Sequence, residues 1–223
     1  MKTAKTTFKF ALFLAAGAAL ATMLHLAWHA SAAEMPVPAK TVPESLQSTG
    51  ESGGDFRFAA REPNSLDPAE FDYSNTEGRA IIGQIFEGLT QYGDDHTPLP
   101  AIAQSWESSD AQTWIFHIRP GARFHNGRQI TAQDVVYSWD RLVDAGNDWY
   151  DYMMAPLIDT VTAVNGDTLK VTLTEPFAPF PLLLAAPYMS IVPAEAVNTL
   201  ATNPVGSGPF QFQSWAPEEE IVL

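Results

Sequence analysis

The sequence contains no cysteine. That excludes disulfides, thiolate nucleophiles and cysteine-ligated metal centres, and also a lipid anchor built on an N-terminal cysteine. Cationic residues are scarce, with 12 Lys plus Arg against 26 Asp plus Glu and a formal net charge of −14. Such a deficit argues against nucleic acid and against anionic lipid surfaces, both of which need clustered cations. The compact catalytic patterns are missing too: there is no H-E-x-x-H pair, no P-loop, no G-x-S-x-G and no serine triad order. Gly206-Ser207-Gly208 is too short to cradle a phosphate, and Pro209 removes an N–H that such a loop would need. The five histidines are His25, His29, His96, His117 and His125. Only Asp94-Asp95-His96 gathers metal-ligating types, and it reads more simply as a solvated loop. The expectation is a protein that is not an enzyme, with no cofactor and no metal.

What is present begins with an export signal over residues 1–33. Lys2, Lys5 and Lys9 precede an apolar run from Phe10 to Trp28, and Ala30-Ser31-Ala32 or Ser31-Ala32-Ala33 supplies a small-residue cleavage pattern. The run of 19 residues is long enough for an uncleaved span. His25 within it and the small residues after it favour a cleaved signal, and either outcome places the body outside the cytoplasmic membrane, with the periplasm expected. Without the three signal lysines, nine basic residues face 26 acidic ones, a charge of −17. Residues 34–54 are rich in Pro, Ser, Thr and Gly and lack aromatics, as a flexible linker would be.

From residue 55 the pattern changes. Phe56-Arg57-Phe58-Ala59 reads as a short strand, and Asn75 to Leu89 as a helix with Ile81, Ile82, Ile85, Phe86 and Leu89 on one face. The densest stretch is Ala103 to Arg141. Trp114, Phe116 and Ile118 alternate with Ile115, His117 and Arg119, a strand with one buried face. Pro120-Gly121 and Asn126-Gly127 mark turns. Thr131, three residues before Asp134, begins a helix by a capping box in which its hydroxyl accepts a backbone N–H. Val135, Val136, Trp139, Leu142 and Val143 form that helix's apolar face. Gly146 to Tyr152 reads as a polar and aromatic loop. Val161–Val164 and Leu169–Leu173 pair as a hairpin across Asn165-Gly166. Phe180 to Ala185 gives a helical turn, Pro193 opens a short helix through Leu200, and the residues after Trp215 read as a strand. Strands and helices mix without regular alternation, so the fold class is α/β, of the mixed α+β kind.

In fixed order the chain carries Trp106, Glu107, Ser109, Asp110, Thr113, Trp114, Phe116, Ile118 and Arg119, then Gly121, Phe124, Asn126, Gly127, Ile130, Thr131, Ala132, Asp134, Val135 and Ser138. Ser65-Leu66-Asp67-Pro68, Phe86-Glu87-Gly88-Leu89 and Val205-Gly206-Ser207-Gly208-Pro209-Phe210 flank them. This series resembles the extracytoplasmic solute-binding proteins of ABC importers, in the peptide/nickel-binding family, over roughly residues 56–223. Ala111 stands where that family often has Gly, and the connection between Asp144 and Thr160 is short.

The resemblance implies a periplasmic-binding-protein-like fold, two-lobed with an extra inserted domain. Residues 55–223 would be its N-terminal part, with 68–203 approximately the inserted smaller domain and 204–223 the return to the main lobe. It implies capture of oligopeptides for an inner-membrane ABC permease, by a monomer that binds no nucleic acid. A nickel complex, opine, sugar or other small solute is the alternative ligand on the same fold. Two regions match cleft-lining parts of the family: Asp72-Tyr73-Ser74 and Trp149-Tyr150. Family members are roughly twice as long or more, so the chain is expected to be a truncated, N-terminal portion, functional only with a second half or a non-functional fragment.

Overall fold

Four antiparallel strands form the largest sheet, and sequence alternation decides which of their faces is buried. The computed structural model describes residues 56–72 and 74–223. The expected export signal and linker, and Tyr73, lie outside the described residues. Strands β1 (Thr90–Tyr92) and β2 (Pro98–Pro100) form a small antiparallel pair. Strands β3 (Ala103–Glu107), β4 (Thr113–Ile118), β5 (Ile158–Ala163) and β6 (Thr168–Leu173) follow, in the spatial order β3-β4-β6-β5. In β4, Trp114, Phe116 and Ile118 are buried and the residues between them half-buried, as period two requires. The register sets Trp114 opposite Val171 and Phe116 opposite Leu169. Phe180 then closes over this face, with ring centroids 6.2 Å from both Phe116 and Trp114. Such offset aromatic contacts add to the apolar area they remove from water.

Helix α1 spans Thr76–Ile85 and helix α2 spans Ala132–Asp144. Val135, Trp139 and Leu142 of α2 join Trp114, Phe116, Leu169 and Val171 in the main core. A second apolar cluster gathers Ile81, Ile82 and Ile85 of α1 with Leu66, Phe71, Tyr188 and Val192. A short helix covers Phe180–Leu183 (α3), and 3-10 helices cover Pro187–Met189 and Ala194–Thr199. Strands β7 (Ser214–Ala216) and β8 (Glu220–Val222) form the final hairpin. Ser138, buried within α2, accepts the Val192 N–H at 2.9 Å and so fixes the chain that joins the two clusters.

The structure corrects several expectations. Phe56–Ala59 is not a strand: no described strand pairs with it, and Phe56 and Phe58 are 88% and 53% exposed. Helix α1 stops at Ile85, not Leu89. The Ile85 and Gln84 carbonyls accept the N–H groups of Gly208 (2.8 Å) and Phe210 (3.0 Å), and the chain leaves Phe86 extended. The capping box of Thr131 and Asp134 at the start of α2 does form, and the Asp134 carboxylate accepts both the Thr131 N–H (2.8 Å) and the Thr131 hydroxyl (2.9 Å). The apolar face of α2 ends at Leu142, since Val143 is half exposed. Residues 146–152 are not a loop throughout: Asn147 Oδ1 accepts the Tyr150 N–H and a π-helical turn runs Tyr150–Met154.

The hairpin across Asn165-Gly166 and the 120–127 turns form where the sequence puts them. Ala111 has φ +55°, a left-handed conformation that strains any residue with a Cβ. The flanking turn is held by Asp110, whose carboxylate accepts from Thr113 N–H (2.7 Å) and Gln112 N–H (2.9 Å). Ala111→Gly is therefore expected to raise stability by about 0.5 kcal/mol, the strain relieved exceeding the added freedom of the unfolded chain. A urea midpoint below that of the parent protein would mean that the Ala111 methyl contributes more through packing.

Candidate functional site

Side chains that the sequence reading passed over tie residues 67–69, which lead into the Asp72 turn, to α2 and to the segment that carries Trp149 and Tyr150. Arg141, on α2, pairs through both of its terminal nitrogens with the Asp67 carboxylate, and the Asp67 side chain is only 2% exposed. Asp67 also accepts the Ala69 N–H at 2.9 Å, so the ion pair shapes the turn that follows. Asn147, buried, donates from Nδ2 to the Ala69 carbonyl (2.9 Å) while its Oδ1 holds the Tyr150 N–H (3.0 Å). One amide thereby ties residues 67–72 to the start of the π-helical turn. The available signal for Asn147 was its type, since Asn readily caps a turn with its side chain. Arg141 gave no signal beyond being a charge beside an apolar helix face.

Asp72 and Ser74 are exposed. The Asp72 carboxylate accepts the Ser74 N–H (2.8 Å) and hydroxyl (3.0 Å), and Arg61 lies 3.7 Å away. The Ser74 backbone N–H, then its hydroxyl, hold the Asp72 carboxyl below its ordinary range, with Arg61 adding to the effect. Asn64 braces the same turn, accepting the Asp72 N–H (2.8 Å) and donating to the Glu70 carbonyl (3.0 Å). Tyr73 lies outside the described residues. The hydrogen bonds of Asp72, Ser74 and Glu70 make this a polar, exposed stretch.

Trp149 is half-buried, touches both apolar clusters, and packs on Tyr188 with ring centroids 4.9 Å apart. Tyr150 is 5% exposed. Burial pushes its phenol up to about 12, and the negative charges of Asp140 and Asp151 add to the rise. The site therefore offers a polar turn, an indole and a nearly enclosed phenol that remains protonated across ordinary pH.

Asp95 is engaged by its own turn, accepting the Thr97 hydroxyl at 2.6 Å. Among the described residues no helix is long and apolar enough to cross a membrane.

Residues 97–223 match the family model of the bacterial extracellular solute-binding proteins, family 5, in its middle region. The chain belongs to that family. It is 36% identical to the periplasmic oligopeptide-binding protein OppA of Escherichia coli (strain K12), over 73% of this chain and 34% of that protein. The Escherichia coli murein tripeptide-binding protein MppA superposes with a TM-score of 0.68 at 28% identity, covering 73% of this chain and 36% of the other. The structure of a nickel ABC transporter from Bacillus halodurans gives a TM-score of 0.62 at 30% identity, over 73% and 32%. The mixed helix and sheet architecture is thus that of part of a periplasmic binding protein, and the chain spans about a third of the length of the relatives it matches.

Proposed function

We propose that the chain is the N-terminal part of the substrate-binding component of an ABC importer, and that it takes part in capturing oligopeptides outside the cytoplasmic membrane for an inner-membrane permease. Residues 1–33 act as its export signal, 68–203 form the smaller inserted domain, and 204–223 return to the main lobe. Asp72, Tyr73, Ser74, Trp149 and Tyr150 contribute to the ligand cleft, and the receptor works as a monomer. The observation that supports this reading is the joint through Asn147 and Arg141, which ties residues 67–69, just before the Asp72 turn, to α2 and to the segment that carries Trp149 and Tyr150. Extended peptides are recognised by that combination: backbone groups give sequence-independent hydrogen bonds, and rigid aromatic surface takes the side chains.

A ligand that binds only the folded chain, at about 100 times its Kd, adds about 2.7 kcal/mol. For a chain of this size that raises Tm by about 5–10 °C. A peptide pool is expected to give that rise in a thermal melt. A second reading, a nickel complex as ligand, is favoured by the Bacillus halodurans likeness. No rise with peptides, together with a rise with a nickel chelate, would replace the first reading by the second.

A further inference from the structure

The sequence holds two Asn-Gly dipeptides, Asn126-Gly127 and Asn165-Gly166, and all four residues are exposed. In each pair the asparagine Oδ1 accepts a main-chain N–H two residues on, from Arg128 at 3.0 Å and from Asp167 at 2.9 Å. Beyond that the two differ. The Gly127 N–H donates to the Phe124 carbonyl (2.8 Å), and Asn126 Nδ2 donates to Glu195 Oε1 (2.9 Å). Among the described residues neither the Gly166 N–H nor Asn165 Nδ2 has a hydrogen-bond partner, and nothing lies within 4 Å of a methyl group built at Gly166. Asparagine before glycine is a chemically weak link, because no Cβ shields the glycine nitrogen from the amide carbon that precedes it. One turn ties down both the attacking nitrogen and the leaving group of that reaction, and the other leaves both free.

We propose that Asn165-Gly166 is a site of spontaneous covalent modification, deamidation with water as co-reactant, and that the fold protects Asn126-Gly127 from the same reaction. Hydroxide from the solvent removes the Gly166 amide proton, and the nitrogen attacks Asn165 Cγ. The new N–Cγ bond forms, the Cγ–Nδ2 bond breaks, and Nδ2 leaves as ammonia with a proton taken from water. Water then opens the five-membered succinimide at either carbonyl. The products are aspartate, or isoaspartate whose main chain runs through the side-chain carbon; no atom changes oxidation state. The Asp167 N–H donates to the oxygen on which negative charge develops as Cγ turns tetrahedral, which favours the attack. At Asn126 two further hydrogen bonds must break first, one of them to a carboxylate, and each slows the attack about tenfold. The modification reaches beyond the turn. The Gly166 carbonyl accepts the Ala132 N–H (3.0 Å) at the start of α2. Isoaspartate lengthens the hairpin main chain, displaces that acceptor, and leaves a donor of the first helical turn unheld.

Peptide mapping of the purified chain after prolonged incubation in warm, mildly alkaline buffer tests this, with the urea-unfolded chain as reference. Each asparagine's conversion rate in the folded chain is divided by its own rate in urea. The ratio is expected to stay within about threefold of unity at Asn165 and to fall about a hundredfold at Asn126. Isoaspartate, read by an isoaspartyl-specific methyltransferase, should accompany aspartate at Asn165. Glu195→Ala removes the acceptor of Asn126 Nδ2, and should speed conversion at Asn126 about tenfold while leaving Asn165 unchanged. In the converted protein the Ala132 amide should exchange faster than in the fresh protein. Equal protection of the two asparagines, or an Asn165 that keeps its amide when folded and loses it in urea, overturns the proposal. Aspartate without isoaspartate would show direct hydrolysis and overturn the attack by Gly166. An unchanged Ala132 exchange rate overturns the effect on α2.

Discussion

Arg141→Met is expected to lower the unfolding free energy by about 3–4 kcal/mol. The arginine side chain is 15% exposed and its partner Asp67 is 2% exposed, so removing the guanidinium strands a carboxylate in the interior. Stranding one member of a buried pair costs about 3–5 kcal/mol, far more than the loss of an exposed pair. The remaining Ala69 N–H, at 2.9 Å, satisfies only one of the Asp67 oxygens. The loss should also be local: residues 67–72 lose their anchor on α2, and amide exchange there should accelerate more than in β4 or β6. Chemical denaturation measures the first effect and hydrogen exchange the second. Asp67→Asn combined with Arg141→Met should be milder than Arg141→Met alone, because the stranded charge is gone while an acceptor for Ala69 remains. A double variant that is worse than the single one would show that the ion pair contributes through shape and not through charge balance.

The sequence made legible what depends on near neighbours. The 158–173 hairpin follows from alternation and an Asn-Gly turn, and the start of α2 follows from Thr131 and Asp134 three residues apart. The buried face of β4 is a period-two pattern read directly. What stayed hidden depends on partners far along the chain. Asp67 meets Arg141 across 74 positions, His125 Nε2 meets the Gly208 carbonyl across 83, and Arg128 meets Glu195 across 67. A single sequence shows that such residues are polar and not which of them meet. The early end of α1 has the same origin, since its last carbonyls are taken by residues more than a hundred positions later. Phe56 to Ala59 shows the converse error: β-propensity without a partner strand does not make a strand. At the site, the aromatic residues and the Asp72 turn were legible as types. The amide of Asn147, which ties the Ala69 carbonyl to the Tyr150 N–H, was not.

Gly206→Ala carries the other large expected effect, a loss of about 3 kcal/mol or more. A methyl group built at Gly206 overlaps the carbonyl oxygen of Ile85, stands 2.7 Å from the carbonyl carbon and 3.0 Å from a ring carbon of Phe86. The first two of these are backbone at the end of α1 and cannot rotate away, so either the helix end or the 205–210 segment must move. Movement would break the Gly208 N–H to Ile85 bond (2.8 Å) and the bond from His125 N–H to the Gly206 carbonyl (2.7 Å). Gly166 is the matched control: nothing lies within 4 Å of a methyl there, so Gly166→Ala should change stability by no more than about 0.5 kcal/mol. Urea midpoints of the two variants decide the matter. If Gly206→Ala proves as mild as Gly166→Ala, the returning segment leaves the helix end at little cost. If it is severe, the two glycines flanking Ser207 are required by the close approach of two backbones, and residues 205–210 are fixed to α1 as firmly as the strands of the sheet are to one another.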